Sequence, residues 1–121
     1  MHELSLCQSL IDQVQQLALT HGAQSVGLVT LKVGPLSGVE PALMQHAYPF
    51  ASAGTLAAES TLVIELVPLK VRCESCGAET EAEPSWLVCA ACGSCHTQLV
   101  SGDEMMLMSV ELITAEGTNH V

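Results

Sequence analysis

The chain has 121 residues, 49 % of them apolar, and a net charge of −10 set by thirteen acids against Lys32, Lys70 and Arg72. A field of that sign repels phosphate backbones, which argues against nucleic-acid binding, and it favours cations and basic partner surfaces. No stretch approaches the roughly 18 consecutive apolar residues that span a bilayer, and the opening MHELSLCQSLIDQVQQ mixes polar and apolar positions as a signal peptide does not. The expectation is a cytoplasmic protein with no nucleic-acid or membrane partner, whose six cysteines are metal ligands or thiols rather than disulfides.

Over 4–21, apolar side chains fall at Leu4, Cys7, Leu10, Ile11, Val14, Leu17 and Ala18, the spacing of an amphipathic helix that closes at His21 and Gly22. Cys7 on that face reads as a small buried hydrophobe. SVGLVTLKVG, 25–34, is a β-branched strand, and Gly34, Pro35 and Gly38 make the turn after it. Pro41 suits the first turn of a second helix running to about Ala53, with Glu40 near its start and Leu43, Ala47, Phe50 and Ala51 facing inward. TLVIELVPLKV, 61–71, is a second strand. From Arg72 to about Gly102 five cysteines and little periodicity mark an inserted module. EMMLMSVELI, 104–113, is a third strand, apolar on both faces and so central or covered by helices. The polar tail from Thr114 is expected to fray. Aromatics are limited to Tyr48, Phe50 and Trp86, so the core must be aliphatic. The last strand has to rejoin the first sheet. The predicted fold is α+β, a small three-stranded sheet with two helices plus an inserted zinc-ribbon-like module. The expected domains are 1–71 with 102–121, and 72–101.

Within the module, CESCGAETEAEPSWLVCAACGSCH carries two C-x-x-C-G turns, Cys73/Cys76/Gly77 and Cys89/Cys92/Gly93. Each turn points two sulfurs at one ion, and its glycine lets the backbone fold back toward them. Four thiolates match the tetrahedral preference of zinc, and a four-thiolate site is closed and structural rather than catalytic. Iron of the rubredoxin kind, or a redox dithiol, uses the same ligands and stays open on spacing alone. Cys95 extends the second turn to C-x2-C-x2-C, so it competes with Cys89 and Cys92. Gly93 favours the latter pair, which leaves Cys95 a free thiol and His96 a loop residue or second-site ligand.

Met1, His2 and Glu3 form a second candidate. A histidine at position two lets the α-amine, the His2 amide nitrogen and the imidazole close fused chelate rings. That donor set suits Ni(II) or Cu(II), and Glu3 can add an oxygen or orient the ring. Glu3 is equally accounted for by a helix N-terminus alone. No H-E-x-x-H or serine-nucleophile motif supports a hydrolase.

Taken together, the start MHELSLCQSLI, the stretch LVTLKVGPLSGVEP, the double turn CESCG…CAACGS and the closing GDEMMLMSVEL resemble the nickel-insertion metallochaperone family HypA/HybF. The resemblance covers nearly the whole chain. It implies a binding protein rather than an enzyme, serving NiFe-hydrogenase maturation. It makes His2 the main nickel ligand, with the Met1 amine and Glu3 alongside, and gives zinc to Cys73, Cys76, Cys89 and Cys92. Glu40, before the second helix, is a further nickel candidate. The partners it implies are the hydrogenase large subunit, the maturation GTPase HypB and, in some organisms, urease accessory proteins. The rival is a zinc-ribbon interaction adaptor without nickel, and a second rival is an iron electron carrier.

Overall fold

The computed structural model describes residues 2–120, excepting the side chains of His2, Asn119 and His120. The chain runs α1 (His2–Thr20), β1 (Ser25–Val33), α2 (Pro41–Ser52), β2 (Thr61–Leu66), β3 (Lys70–Cys73), β4 (Glu79–Glu81), β5 (Thr97–Ser101), β6 (Met105–Thr114) and β7 (Gly117–His120). These residues form two compact units. The first is Met1–Leu31, Glu40–Glu65 and Met106–Val121; the second is Lys32–Val39 and Leu66–Met105. Lys32, Lys70 and Arg72 all fall in the second, so the first contains no lysine or arginine.

In the first unit, α1 buries Cys7, Leu10, Ile11, Val14 and Ala18, a stripe at helical spacing. It ends where Gly22 turns to φ +67 and the Ala23 and Gly22 amides donate to the carbonyls of Ala18 and Leu19 at 2.8 and 3.2 Å. That pair of bonds is the Schellman closure, which needs a residue free to adopt the left-handed region. Val26, Val29 and Leu31 of β1, Leu62 of β2, and Val110 and Leu112 of β6 supply the sheet's share of the core.

The inward face of α2 differs from the one expected. Met44, Tyr48 and Ser52 are buried, whereas Leu43 and Phe50 are 49 % and 79 % exposed. Apolar residues run nearly all round this helix, so periodicity had no polar face to select against. Polar anchors choose instead. The Tyr48 and Ser60 hydroxyls share a 2.5 Å hydrogen bond, and Gln45 Nε2 donates to the Leu62 carbonyl at 2.8 Å. Pro41 opens the helix, where its missing N–H costs nothing.

The stretch 61–71 is two strands, not one. Pro68 cannot donate to a ladder, and the chain breaks between Leu66 and Lys70. On one side β2 joins a four-stranded sheet of order β2-β1-β6-β7; on the other β3 joins a three-stranded sheet of order β4-β3-β5. The expected return of β6 to the first sheet is observed, in a central position. One face of β6 is not covered along its whole length: Val110 and Leu112 are buried, but Met106 and Met108, earlier on the same face, are about half exposed, and Ile113 on the other face is partly exposed as well. The tail does not fray at Thr114. It turns at Ala115–Glu116 and pairs back antiparallel as β7, from Thr114↔Gly117 to Glu111↔His120, with Gly117 at φ +132. The sheet therefore has a fourth strand beyond the three expected.

Two glycines meet in the second unit. A Cβ on Gly34 would lie 2.2 Å from the carbonyl carbon and oxygen of Gly102, and Gly102 sits at φ +117 against Leu69. The Leu36 amide donates to the Gly102 carbonyl at 2.7 Å and the Gly34 amide to the Glu104 carbonyl at 2.8 Å, so these backbones cannot separate without losing bonds. Gly34→Ala should cost about 3 kcal/mol. Amide exchange should accelerate across residues 66–105 while the α1 core amides keep their protection.

Candidate metal centre

The second unit has little apolar interior; Val33, Leu69 and Val71 are its buried aliphatic residues. What orders it otherwise are two turns of the same construction. In the first, the Gly77 amide donates to the Cys73 carbonyl at 3.0 Å and the Cys73 amide to the Ala78 carbonyl at 2.9 Å. In the second, Gly93 donates to Cys89 at 2.8 Å and Cys89 to the Ser94 carbonyl at 2.9 Å. Gly77 and Gly93 have φ +77 and +78, a conformation an L side chain resists, which is why each turn ends in glycine.

The turns converge. The Sγ atoms of Cys73, Cys76, Cys89 and Cys92 all lie within 4.8 Å of one another. Cys73 and Cys92 are 3.5 Å apart, Cys76 and Cys89 3.6 Å. A tetrahedral ion with bonds of about 2.3 Å sets its sulfurs roughly 3.8 Å apart, close to these edges. Cys73 and Cys89 are buried and Cys76 and Cys92 exposed, so one sulfur of each pair faces inward.

Backbone amides prepare the sulfurs for negative charge. The Cys73 sulfur accepts from the amides of Ser75 at 3.3 Å and Cys76 at 3.4 Å. The Cys76 amide contributes most to holding the Cys73 thiol down at about 6, against burial, and the Cys92 and Ala91 amides similarly lower Cys89. For Cys92, the Ser94 amide pulls down, but the Cys73 sulfur and burial outweigh it and push the thiol up to about 12. Cys76 is likewise drawn down by the Ala78 amide and driven up by Cys89 and burial. Two sulfurs favour the anion and two resist it, because four negative charges this close repel. A divalent soft cation removes that conflict, so the donor set fits a thiolate-bound metal.

Cys95 and His96 lie outside the four-sulfur group. Cys95 is exposed, and the His96 carbonyl accepts from the Glu74 amide, in the turn just after β3, at 2.8 Å. Cys7 is buried, its Sγ 3.6 Å from the Met44 carbonyl oxygen and 3.7 Å from the Met44 Sδ; burial and then Glu3 push its thiol up. Met1 and the His2 side chain lie outside the described residues. Glu3 is half-buried in the first turn of α1, and Glu40 precedes α2 with no capping bond from its side chain. The donors that motif spacing cannot supply are the amides around each sulfur, which belong to the turn and not to any residue type.

The family described as hydrogenase/urease nickel incorporation, metallochaperone, hypA matches residues 1–112. The chain belongs to the HypA family. A "Hydrogenase maturation factor HypA" from Nitrosospira multiformis is 60 % identical over 114 residues, 94 % of this chain and 99 % of that one. The protein of the same name from Aquifex aeolicus is 42 % identical over 93 % of this chain and 97 % of its own. The fold of the nickel metallochaperone HypA from Helicobacter pylori, solved in solution, is similar at a TM-score of 0.66 and 24 % identity, covering 93 % and 97 % of the two chains. HypA proteins are nickel-incorporation metallochaperones, a class of maturation factor and not of catalyst.

Serine in place of Cys73, Cys76, Cys89 or Cys92 should lower the bound metal per chain, measured by atomic emission, and loosen amides of 66–105. Cys95→Ser should leave both unchanged. Acidification should release the metal, since protons compete for the thiolates.

Proposed function

We propose that this chain holds zinc for shape in its second unit and carries Ni(II) as cargo at its N-terminus. The reading is supported chiefly by the four-sulfur cluster being a complete donor set. A closed tetrathiolate leaves no position for a passing ion, so a nickel cargo needs different donors. Those are the Met1 amine, the His2 amide nitrogen and imidazole, and the Glu3 carboxylate. Amine, amide and imidazole nitrogens suit Ni(II), whereas four thiolates suit zinc. Zinc bound this way contributes order ten kcal/mol to a unit with few buried aliphatic side chains.

The cargo site needs opposite properties. An ion to be handed on must be exposed and quickly exchanged, and a chain start provides both. The acidic surface attracts cations and basic docking surfaces. The recipient on this reading is the large subunit of a NiFe-hydrogenase, with the GTPase HypB assisting and urease accessory proteins as a second outlet, in the cytoplasm. Glu40, ahead of α2, is a further candidate oxygen donor.

Nickel titration separates this from an adaptor role. Wild type should take one nickel beyond its zinc. His2→Ala, or two residues added before Met1, should lose the nickel and keep the zinc. Equal uptake by all three proteins would remove the terminal site. The purified protein should be colourless with one zinc; a coloured, redox-active protein would point to iron.

A further inference from the structure

The start of α1 lies beside a cleft of about 270 Å³ lined by Glu3, Leu4, Leu43, His46, Ala47 and Phe50. The four α2 residues recur at i, i+3, i+4 and i+7, so they share one face of that helix. This is the face sequence periodicity would have buried, and Phe50 and Leu43 stand substantially open on it. Cys7 fixes the register, because its sulfur is held against Met44. Glu3 is one turn before Cys7, and His46 and Ala47 follow within one turn of Met44. The first turn of α1 is thereby set against α2 just beyond Met44, with Glu3 on one wall of the cleft and His46 on the other. Helical side chains lean toward the N-terminus, so Glu3 leans toward the start of α1. No lysine or arginine exists in this unit to neutralise the carboxylate.

We propose that His46 is a nickel ligand, closing on the cargo ion from α2 together with Glu3. The inference rests on the terminal nickel reading above. An imidazole and a carboxylate are both good donors to Ni(II), and they would raise the ion from the planar coordination of the terminal nitrogens to a higher one. Leu4, Leu43 and Phe50 line the same cleft. His46 itself is exposed, so the ion would remain within reach of a recipient.

Zinc-loaded wild type, His46→Gln, Glu3→Gln and His2→Ala would be titrated with Ni(II), following affinity, ligand-field absorption and the histidine ring resonances. His46→Gln should bind roughly tenfold more weakly, with absorption shifted toward the planar form. The His46 ring signals of wild type should move or broaden with the first equivalent. Wild-type affinity and spectrum in His46→Gln, or a His46 ring in wild type that ignores nickel, would overturn the inference. Loss of nickel in His2→Ala with full binding in His46→Gln rejects His46 alone. Full binding in His2→Ala rejects the terminal site, and His46 as its ligand with it. The ring measurement needs no variant, so it decides the matter even if His46→Gln were to fold poorly.

Discussion

Four sulfurs held within 4.8 Å of one another are the constraint on which the second unit depends. Left as thiols they divide, two drawn toward the anion by backbone amides and two driven away from it by their neighbours. The arrangement is frustrated until a cation enters. Because buried aliphatic side chains are scarce there, that electrostatic closure does what a hydrophobic core does in a larger domain. The two glycines at positive φ and the Gly34–Gly102 contact are then consequences, since both let backbone approach where side chains would block it.

The first unit is held by different physics. Its helices bury an aliphatic stripe on a sheet, with one hydroxyl pair and one amide bond setting the angle of α2. A unit held this way needs no metal to fold, so the residues that the carrier reading assigns to nickel would be free to be exposed and labile. The division suits a carrier. The ion that maintains shape and the ion to be given away would sit in separate units, so surrendering one need not unfold the other.

Much of this was legible in the residues, and the failures have specific causes. The C-x-x-C-G pairs located all four converging sulfurs, because the chelating geometry is local to each turn. α1 was readable since its polar and apolar faces are distinct. α2 was readable as a helix but not as an oriented one, because Leu43, Met44, Ala47, Tyr48, Phe50 and Ala51 leave no contrast between faces. Its orientation is decided by Ser60 and Leu62, residues outside the helix. The break at Pro68 was written in the chain, yet the apolar run around it hid it. β7 was missed because Gly117–His120 carries no apolar pattern; it is a strand through its two-residue turn and backbone pairing with β6. The cleft shared by Glu3 and His46 lies on two helices far apart in sequence, and no motif connects them.

The confinement of Lys32, Lys70 and Arg72 to one unit also limits how the molecule can be interrogated. Trypsin cuts only after such residues, so digestion reports the opening of β3 at Lys70 and Arg72 and of the end of β1 at Lys32, and is blind to both helices. Amine-directed dyes and cross-linkers meet two lysine side chains in that unit, and elsewhere only the α-amine that the carrier reading assigns to nickel. A bound ion would shield that amine, so its acylation rate becomes a direct gauge of occupancy.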